Sequence, residues 1–232
     1  MSKDIEKLFD SKSNEWDEKY NNNGPLVNRL KKLINLVDKY SDPKNLLDVG
    51  CGSGIFIDYF NSIGVNTVGV DLSKGMIDRC LNKKYLNPNK VKFYFGALEN
   101  IKFDEKKFDT VICSSVLEYI DNDEFFLNSI YSSMEKEGYL FITVPNKLNK
   151  KRIREDLIKK LKFIFYPLSF ISQINNYLIY LKVSKNKYLV DEFSELACDV
   201  GFDVVRYEGL NPIEKTNELL SSTLIIFVLK KK

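Results

Sequence analysis

The hydrophobic residues of this chain form short unbroken runs that alternate with segments of helical spacing. Apolar runs typical of buried strands occupy residues 45–50, 66–73, 90–96, 107–115 and 138–146. Helical spacing occurs in residues 54–64, 73–84 and 121–138. Ser73 is the predicted N-cap of the second helix, and the third has an acidic start and a glycine at its end. Strands that alternate with helices predict an α/β fold with a mostly parallel, doubly wound sheet covered on both faces.

Composition narrows the class of protein. The 232 residues are enough for one large domain, and 44% hydrophobic with 29% charged residues indicates a soluble globular chain. A net charge of +3 is too small to favour nucleic acid as a partner. The amino terminus lacks the apolar segment of a signal peptide. The four cysteines form no CxxC pair and sit in apolar surroundings, as buried thiols of a cytoplasmic protein do.

Histidine is absent from the sequence. The commonest general base and the commonest metal ligand are therefore both missing. Because no clustered carboxylate motif replaces them, we expect no bound metal ion.

Three glycines separate the first strand from the first of these helices. Gly50, Gly52 and Gly54 lie in the stretch LLDVGCGSGIF. Glycine lets the main chain turn tightly and lets a ligand lie against the backbone, and open α/β sheets bind ligands at this strand edge. The free N–H groups of the following helix favour an anionic group. The alternative is a tight strand–helix turn without a ligand.

An aspartate ends the second strand. Asp71 follows Gly54 by 17 residues, where nucleotide-binding sheets place an acceptor for ribose hydroxyls. The alternative is a role in capping the helix at Ser73. The glycine spacing is G-x-G-x-G rather than G-x-G-x-x-G, so a nicotinamide or flavin cofactor is the weaker interpretation.

Four segments in order, LLDVGCGSG, VGVDLS, FDTVICSSVLEYI and GYLFITVPN, resemble the class I S-adenosylmethionine-dependent methyltransferases. The resemblance covers about residues 9–146 and resumes at 188–205. It extends to small-molecule enzymes, including the ubiquinone-type O-methyltransferases, which share an NEWDEKY type of N-terminal helix. It implies a Rossmann-like seven-stranded sheet whose last strands, 202–209 and 222–231, form an antiparallel hairpin.

The resemblance also implies a cofactor, S-adenosyl-L-methionine, and residues that hold it. The loop for its methionine part comprises Asp48, Gly50, Cys51, Gly52 and Gly54. Asp71 would bind the ribose, and Leu72 and Met76 would line the adenine. The backbone of Ser114 would face the amino-acid end.

Two further cofactor contacts are less regular. Many relatives have an aspartate near the adenine amine where this chain has Ala97, so adenine would be held by the Leu98 backbone, by packing or by Glu99. Trp16 and Tyr20 fall at i, i+4 spacing on the N-terminal helix. The resemblance implies a flap there, with Tyr20 near the amino-acid end, whereas plain core packing is the alternative.

The reaction of this family is an in-line displacement at the sulfonium methyl carbon, which needs mainly positioning from the protein. A carboxylate, a tyrosine or an already anionic acceptor can replace a histidine base. Relatives often carry Leu-Glu-His after the fourth strand, and this chain carries Leu117-Glu118-Tyr119. Glu118 is the candidate base or acceptor contact, and the alternative is a buried structural carboxylate.

A basic segment follows the fifth strand. Residues 147–162 hold eight Lys/Arg and two Asp/Glu, a net charge of +6. An aromatic-rich stretch at 163–183 follows, in which Ile171, Ile174, Tyr177, Leu178 and Leu181 have helical spacing. Pro167 and the polar residues argue against a membrane span.

Three interpretations of this segment remain open. It forms a lid in which Lys147, Arg152 and Arg154 meet an anionic or phosphorylated substrate. It lies on a membrane surface. Or it is a solvated charged face beside a packed helix or dimer contact.

We expect one methyltransferase domain with a flap at 1–43, a cofactor-binding core at 44–146, a lid insertion at 147–187 and a C-terminal helix and hairpin at 188–232. The predicted function is methyl transfer to a small-molecule acceptor, as O-methylation of an anionic or phosphorylated metabolite or cell-surface precursor. Alternatives are an N-methyltransferase, a nucleotide-binding oxidoreductase and a non-catalytic cofactor-binding protein. The chain would act as a monomer or homodimer.

Overall fold

The computed structural model describes residues 3–13, 16–20, 25–103, 107–160, 172–210 and 218–232. Within these residues, seven strands form one sheet in the order β3-β2-β1-β4-β5-β7-β6. The strands are β1 (Asn45–Val49), β2 (Asn66–Asp71), β3 (Val91–Phe95), β4 (Phe108–Cys113), β5 (Met134–Pro145), β6 (Phe202–Leu210) and β7 (Leu224–Lys231).

The first five strands run parallel, and β7 runs antiparallel between β5 and β6. The predicted α/β class and the terminal antiparallel hairpin are therefore confirmed. Strand order reverses between β1 and β4, which opens a crevice at their carboxyl ends. This crevice is where the glycine loop lies.

Helices cover both faces of the sheet. They are α1 (Lys3–Asp10), α2 (Pro25–Tyr40), α3 (Ile55–Ser62), α4 (Lys74–Leu81), α5 (Asp123–Ser133), α6 (Lys150–Lys160), α7 (Ser172–Val183), α8 (Val190–Val200) and the single turn α9 (Glu218–Ser221). Neighbouring residues of a central strand enter opposite clusters. Leu47 packs with α5 and α8, whereas Leu46 packs with α2, α3 and α4. Because both faces of the sheet are buried, its strands appear in the sequence as unbroken apolar runs.

The predicted helix at 121–138 is wrong at its end. Helix α5 ends at Ser133, and β5 begins at Met134. A Cβ on Gly138 would lie 2.9 Å from the carbonyl oxygen of Asp109. Gly138 therefore permits close approach to β4 and does not stop a helix.

The N-terminal segment also differs from expectation. Helix α1 ends at Asp10, and Asp17–Tyr20 form a separate 3-10 turn, so Trp16 and Tyr20 do not share one α-helix. A small apolar cluster that includes Ile5 and Val183 joins α1 to α7. The N-terminal helix and α7 are thus in contact.

Three further expectations concern single residues. Cys198 is exposed on α8, whereas the other three cysteines are buried as predicted. Tyr177 is also exposed, because the inward face of α7 carries Tyr180 and Leu181 instead. Pro167 and Ile171 lie outside the described residues. In the described part of the chain, no helix is long and apolar enough to cross a bilayer.

Candidate active site

A cavity of about 300 Å³ lies at the carboxyl ends of β1, β2 and β4. This volume falls at the lower end of the usual range for ligand sites, roughly 300–1,000 Å³. The predicted site residues that line it are Tyr20, Asp48, Gly50, Cys51, Gly52, Asp71, Leu72, Met76, Ser114, Glu118 and Arg152. Trp16 lines it as well. The fold therefore brings residues that are up to 136 positions apart in the sequence to the wall of one cavity.

Three predicted cofactor contacts lie outside this cavity. Gly54 is the N-cap of α3 with φ 78°, and a Cβ there would come within 3.0 Å of the Cys80 Sγ. Ala97 precedes the 3-10 turn Leu98–Asn100, and Leu98 packs into the core beside that turn. These residues shape the cavity's surroundings without facing it.

Two predicted substrate contacts also lie elsewhere. The Lys147 Nζ pairs with Glu192 at 2.6 Å, outside the cavity. Arg154 is exposed on α6 and does not line the cavity. The cationic side chains of the basic segment therefore do not all face the cavity.

The first two glycines of the loop are required by neighbouring side chains. Gly50 has φ 71°, and a Cβ there would lie 2.2 Å from the Val116 Cγ2. Gly52 has φ 54°, and its Cβ would lie 3.2 Å from the Trp16 Nε1. Left-handed backbone and close cover by Val116 and Trp16 both favour glycine. From the sequence, a ligand or a tight turn was expected at these glycines, and the cover by Val116 and Trp16 was not predicted.

Asp71 fastens the glycine loop to α4. Its Oδ2 accepts the Gly52 N–H at 2.8 Å, and its Oδ1 accepts the Ser73 N–H at 2.8 Å. The Ser73 Oγ in turn accepts the Met76 N–H at 3.2 Å, which confirms Ser73 as the N-cap. Burial raises the pKa of Asp71, and the backbone hydrogen bonds oppose that shift. Each carboxylate oxygen can accept a further hydrogen bond from the cavity.

Asp48 is almost fully buried at the base of the cavity. Among the described residues its Oδ2 has no hydrogen-bond partner. Burial raises the pKa of Asp48 to about 8, with a further contribution from the charge of Asp71. The buried Ser114 Oγ also lacks a partner in the described part of the chain. Unpaired acceptors of this kind suit a ligand that brings N–H donors, such as an ammonium group.

Arg29 is a cavity residue that the sequence analysis missed. Its Nη1 donates to the Ser115 Oγ at 2.6 Å. Burial raises the pKa of Tyr20, and the Arg29 charge partly offsets that effect. Arg29 lies on α2 and belongs to no local sequence motif, so the sequence alone could not identify it as a cavity residue.

The other end of the cavity holds a buried ion network. The Arg152 Nη1 lies 3.5 Å from the Glu118 Oε2 and 3.1 Å from the Glu155 Oε2. Arg152 also donates to the Tyr180 hydroxyl, and the Ser184 Oγ donates to the Glu118 Oε2 at 3.3 Å. Two carboxylates thus already balance the Arg152 charge. Tyr180, which lines the cavity, is a second residue missed from the sequence.

Within the described ranges, no group of three Cys, Asp or Glu side chains is arranged to hold a metal ion.

The methyltransferase domain family matches residues 21–206 of this chain. The chain belongs to that family. As the sequence resemblance implied, it is a class I S-adenosylmethionine-dependent methyltransferase. This membership separates the enzyme from the nucleotide-binding oxidoreductases that the sequence analysis left open.

The chain is similar to characterised proteins over most of its length. A ubiquinone biosynthesis O-methyltransferase of Rickettsia canadensis (strain McKiel) is 27% identical over 216 residues, covering 90% of this chain and 86% of that protein. The magnesium protoporphyrin IX methyltransferase of Synechocystis PCC 6803, solved with bound S-adenosylhomocysteine, superposes with a TM-score of 0.70 at 16% identity, covering 98% of each chain.

A methyltransferase of Thermotoga maritima, described as a possible histamine N-methyltransferase, superposes with a TM-score of 0.66 at 16% identity. That match covers 98% of this chain and 100% of the other. These structural likenesses concern the fold.

Proposed function

We propose that this enzyme methylates a hydroxyl group of a small-molecule acceptor. One observation carries the proposal: a single cavity joins the glycine loop and Asp71 to a second set of polar groups that includes Glu118 and Tyr180. A donor and an acceptor can therefore meet inside one cavity. The O-methyltransferase name of the Rickettsia relative supports oxygen over nitrogen as the methylated atom.

The cofactor end fits an adenosine that carries an amino acid. Asp71 would accept the ribose hydroxyls, and Leu72 and Met76 would pack against the adenine. The unpaired Asp48 Oδ2 suits the ammonium of the amino-acid part, and Arg29 suits its carboxylate. When bound, the cofactor supplies a methyl group on a positively charged sulfur.

At the acceptor end, Glu118 would contact the acceptor hydroxyl and take its proton. It is buried, lines the cavity and lies beside the Arg152 guanidinium. This arrangement places a carboxylate within reach of a bound acceptor.

For an anionic or phosphorylated acceptor, the structure favours a different cation from those predicted. Lys151 lines the cavity from α6, is exposed, and has no ion-pair partner among the described residues. Lys147 is paired outside the cavity, and two carboxylates compensate Arg152. We therefore assign the anion contact to Lys151. Its replacement by methionine should raise the acceptor's KM, whereas Lys147→Met on the same segment should leave it unchanged.

The outer side of α6 supports contact with a lipid surface. Ile153 and Leu157 are 55% and 56% exposed, at i, i+4 spacing, and Lys150 and Arg154 lie nearby in sequence. A basic helix with an exposed apolar row suits anionic headgroups. Co-sedimentation with phosphatidylglycerol vesicles, lost in Ile153→Glu and kept in Lys147→Met, would support this contact. Equal sedimentation of the two variants would contradict it.

The reaction itself can be tested without knowing the acceptor. Purified enzyme would be incubated with methyl-labelled S-adenosylmethionine and a small-molecule extract, and labelled products identified by mass spectrometry. We expect label on oxygen, lost in Asp71→Ala and reduced in Glu118→Gln. Label on nitrogen, or none above background, would contradict the proposal.

A further inference from the structure

Ser115 adopts a backbone conformation that serine rarely takes. It lies two residues beyond the end of β4, lines the cavity and has φ 59°, in the left-handed region. Only one other non-glycine residue in the described ranges, Glu137, has a positive φ. Such residues persist where surrounding contacts hold them in place.

Two hydrogen bonds hold Ser115 in this conformation. Its N–H donates to the Thr143 Oγ1 at 2.8 Å, and its Oγ accepts from the Arg29 Nη1 at 2.6 Å. Thr143 lies in β5 and has no exposed surface. The chain Thr143–Ser115–Arg29 therefore connects β5, the end of β4 and α2 across the cavity wall.

The far end of this chain is a guanidinium that lines the same cavity as an unpaired carboxylate. Arg29 lines the same cavity as Asp48, whose Oδ2 has no partner in the described part of the chain. A fixed cation and a carboxylate that line one cavity match the zwitterion of an α-amino acid, since each charge of the ligand can meet its opposite.

We propose that Thr143 and Ser115 are positioning residues that hold Arg29 in place for the carboxylate at the amino-acid end of the cofactor. This inference rests on the proposed function. A free arginine side chain samples many rotamers, so a fixed one binds its carboxylate with a smaller loss of entropy. The left-handed conformation at Ser115 is then explained by where its hydroxyl must lie.

The test compares two ligands that differ only at the amino-acid end. S-adenosylhomocysteine carries it, and 5′-methylthioadenosine lacks it. Calorimetry should show that Ser115→Ala and Thr143→Val weaken binding of S-adenosylhomocysteine by about three- to tenfold. Affinity for 5′-methylthioadenosine should stay within about twofold of wild type.

Ser115→Gly separates positioning from folding. Glycine adopts φ 59° without strain, so the melting temperature of this variant should not fall. Its affinity for S-adenosylhomocysteine should nevertheless fall as in Ser115→Ala. In an Arg29→Met background, Ser115→Ala should have no further effect, because the residue that it positions is gone.

Equal losses for both ligands, or none for either, would overturn the positioning role while leaving the proposed function intact. A wild-type enzyme that binds 5′-methylthioadenosine as tightly as S-adenosylhomocysteine would refute any contact to the amino-acid end. A wild-type enzyme that binds neither ligand would refute the proposed cofactor site and, with it, this inference.

Discussion

Ionisation of Asp48 is unfavourable in the folded protein because its side chain is buried. Its pKa of about 8 in the folded protein lies above the value near 4 of an unfolded chain. The folded state therefore holds a proton that the unfolded state releases between these values, and the free energy of unfolding falls as pH rises from about 4 to 8. Asp48→Asn should flatten this dependence, as measured by urea unfolding at pH 6 and pH 8.5. An unchanged slope would contradict the assignment.

The same titration affects binding. Because a cationic ligand group favours the ionised carboxylate, affinity for S-adenosylhomocysteine should rise by about three- to tenfold between pH 6 and 8.5. The Asp48→Asn variant should bind weakly with little pH dependence. Calorimetry in buffers with different ionisation enthalpies would also detect the proton released on binding.

Gly50 permits a second prediction about a single residue. Gly50→Ala places a methyl group against the Val116 Cγ2 and forces alanine into φ 71°, which together should lower the free energy of unfolding by about 2–4 kcal/mol. Val116→Ala in the same chain should restore part of this loss, because it removes the clash but not the backbone strain. Chemical denaturation of the single and double variants measures both. Equal stability of Gly50→Ala and wild type would contradict the packing described.

Some of the residues that line the cavity could be predicted from the local sequence, and others could not. The glycines and Asp71 stand at strand ends within motifs of fixed spacing, so their type and position could be predicted. Arg29 and Tyr180 reach the cavity from helices far away in sequence, and neither belongs to a local motif. Only the packing of α2 and α7 over the sheet brings them there.

At the scale of elements, the buried ion network joins α6 and α7 to the residues after β4. Arg152 on α6 lies between Glu118, after β4, and Glu155, one turn further along α6. Arg152→Met would leave both carboxylates buried without their main cation and should lower the free energy of unfolding by about 3–5 kcal/mol. Arg154→Met, two residues away on the exposed side of the same helix, should change it by less than about 0.5 kcal/mol.

Urea denaturation of Arg152→Met and Arg154→Met tests whether Arg152 has a structural role. A large loss in Arg152→Met alone supports a structural network. Equal and small effects would instead indicate that Arg152 is available to a substrate, as the charge count of the basic segment suggested.

The basic segment illustrates why the environment of residues in α6 was harder to predict than the strands. Strands buried on both faces produce continuous apolar runs, so, apart from the start of β5, the ends of β1 to β5 could be predicted within about two residues. In contrast, Arg152 and Glu155 look like exposed helix charges in sequence, yet both are buried because they neutralise each other. The first residues of β5 were also misjudged, since MEKEG has no apolar alternation.

At the scale of the whole molecule, two sets of elements cover the crevice between β1 and β4, and they contact each other. Segment 16–20 and α1 line the cavity on the side of the glycine loop, whereas α6 and α7 line it on the side of Glu118. The apolar cluster between α1 and α7 connects them, and Lys182 pairs with Asp4 at 2.7 Å across the same contact. The strand order explains where this crevice lies. The contact between these two sets of elements depends on long-range packing that no local pattern encodes.

The central claim is that the crevice between β1 and β4 binds the cofactor with Asp71 at its ribose. Isothermal titration calorimetry of S-adenosylhomocysteine against wild type and Asp71→Asn tests it most directly, with circular dichroism to check that the variant is folded. We predict saturable binding by wild type and an affinity at least about tenfold weaker in Asp71→Asn, since the ribose hydroxyls lose a charged acceptor. Equal affinity of a folded variant, or no binding by wild type, would contradict the claim.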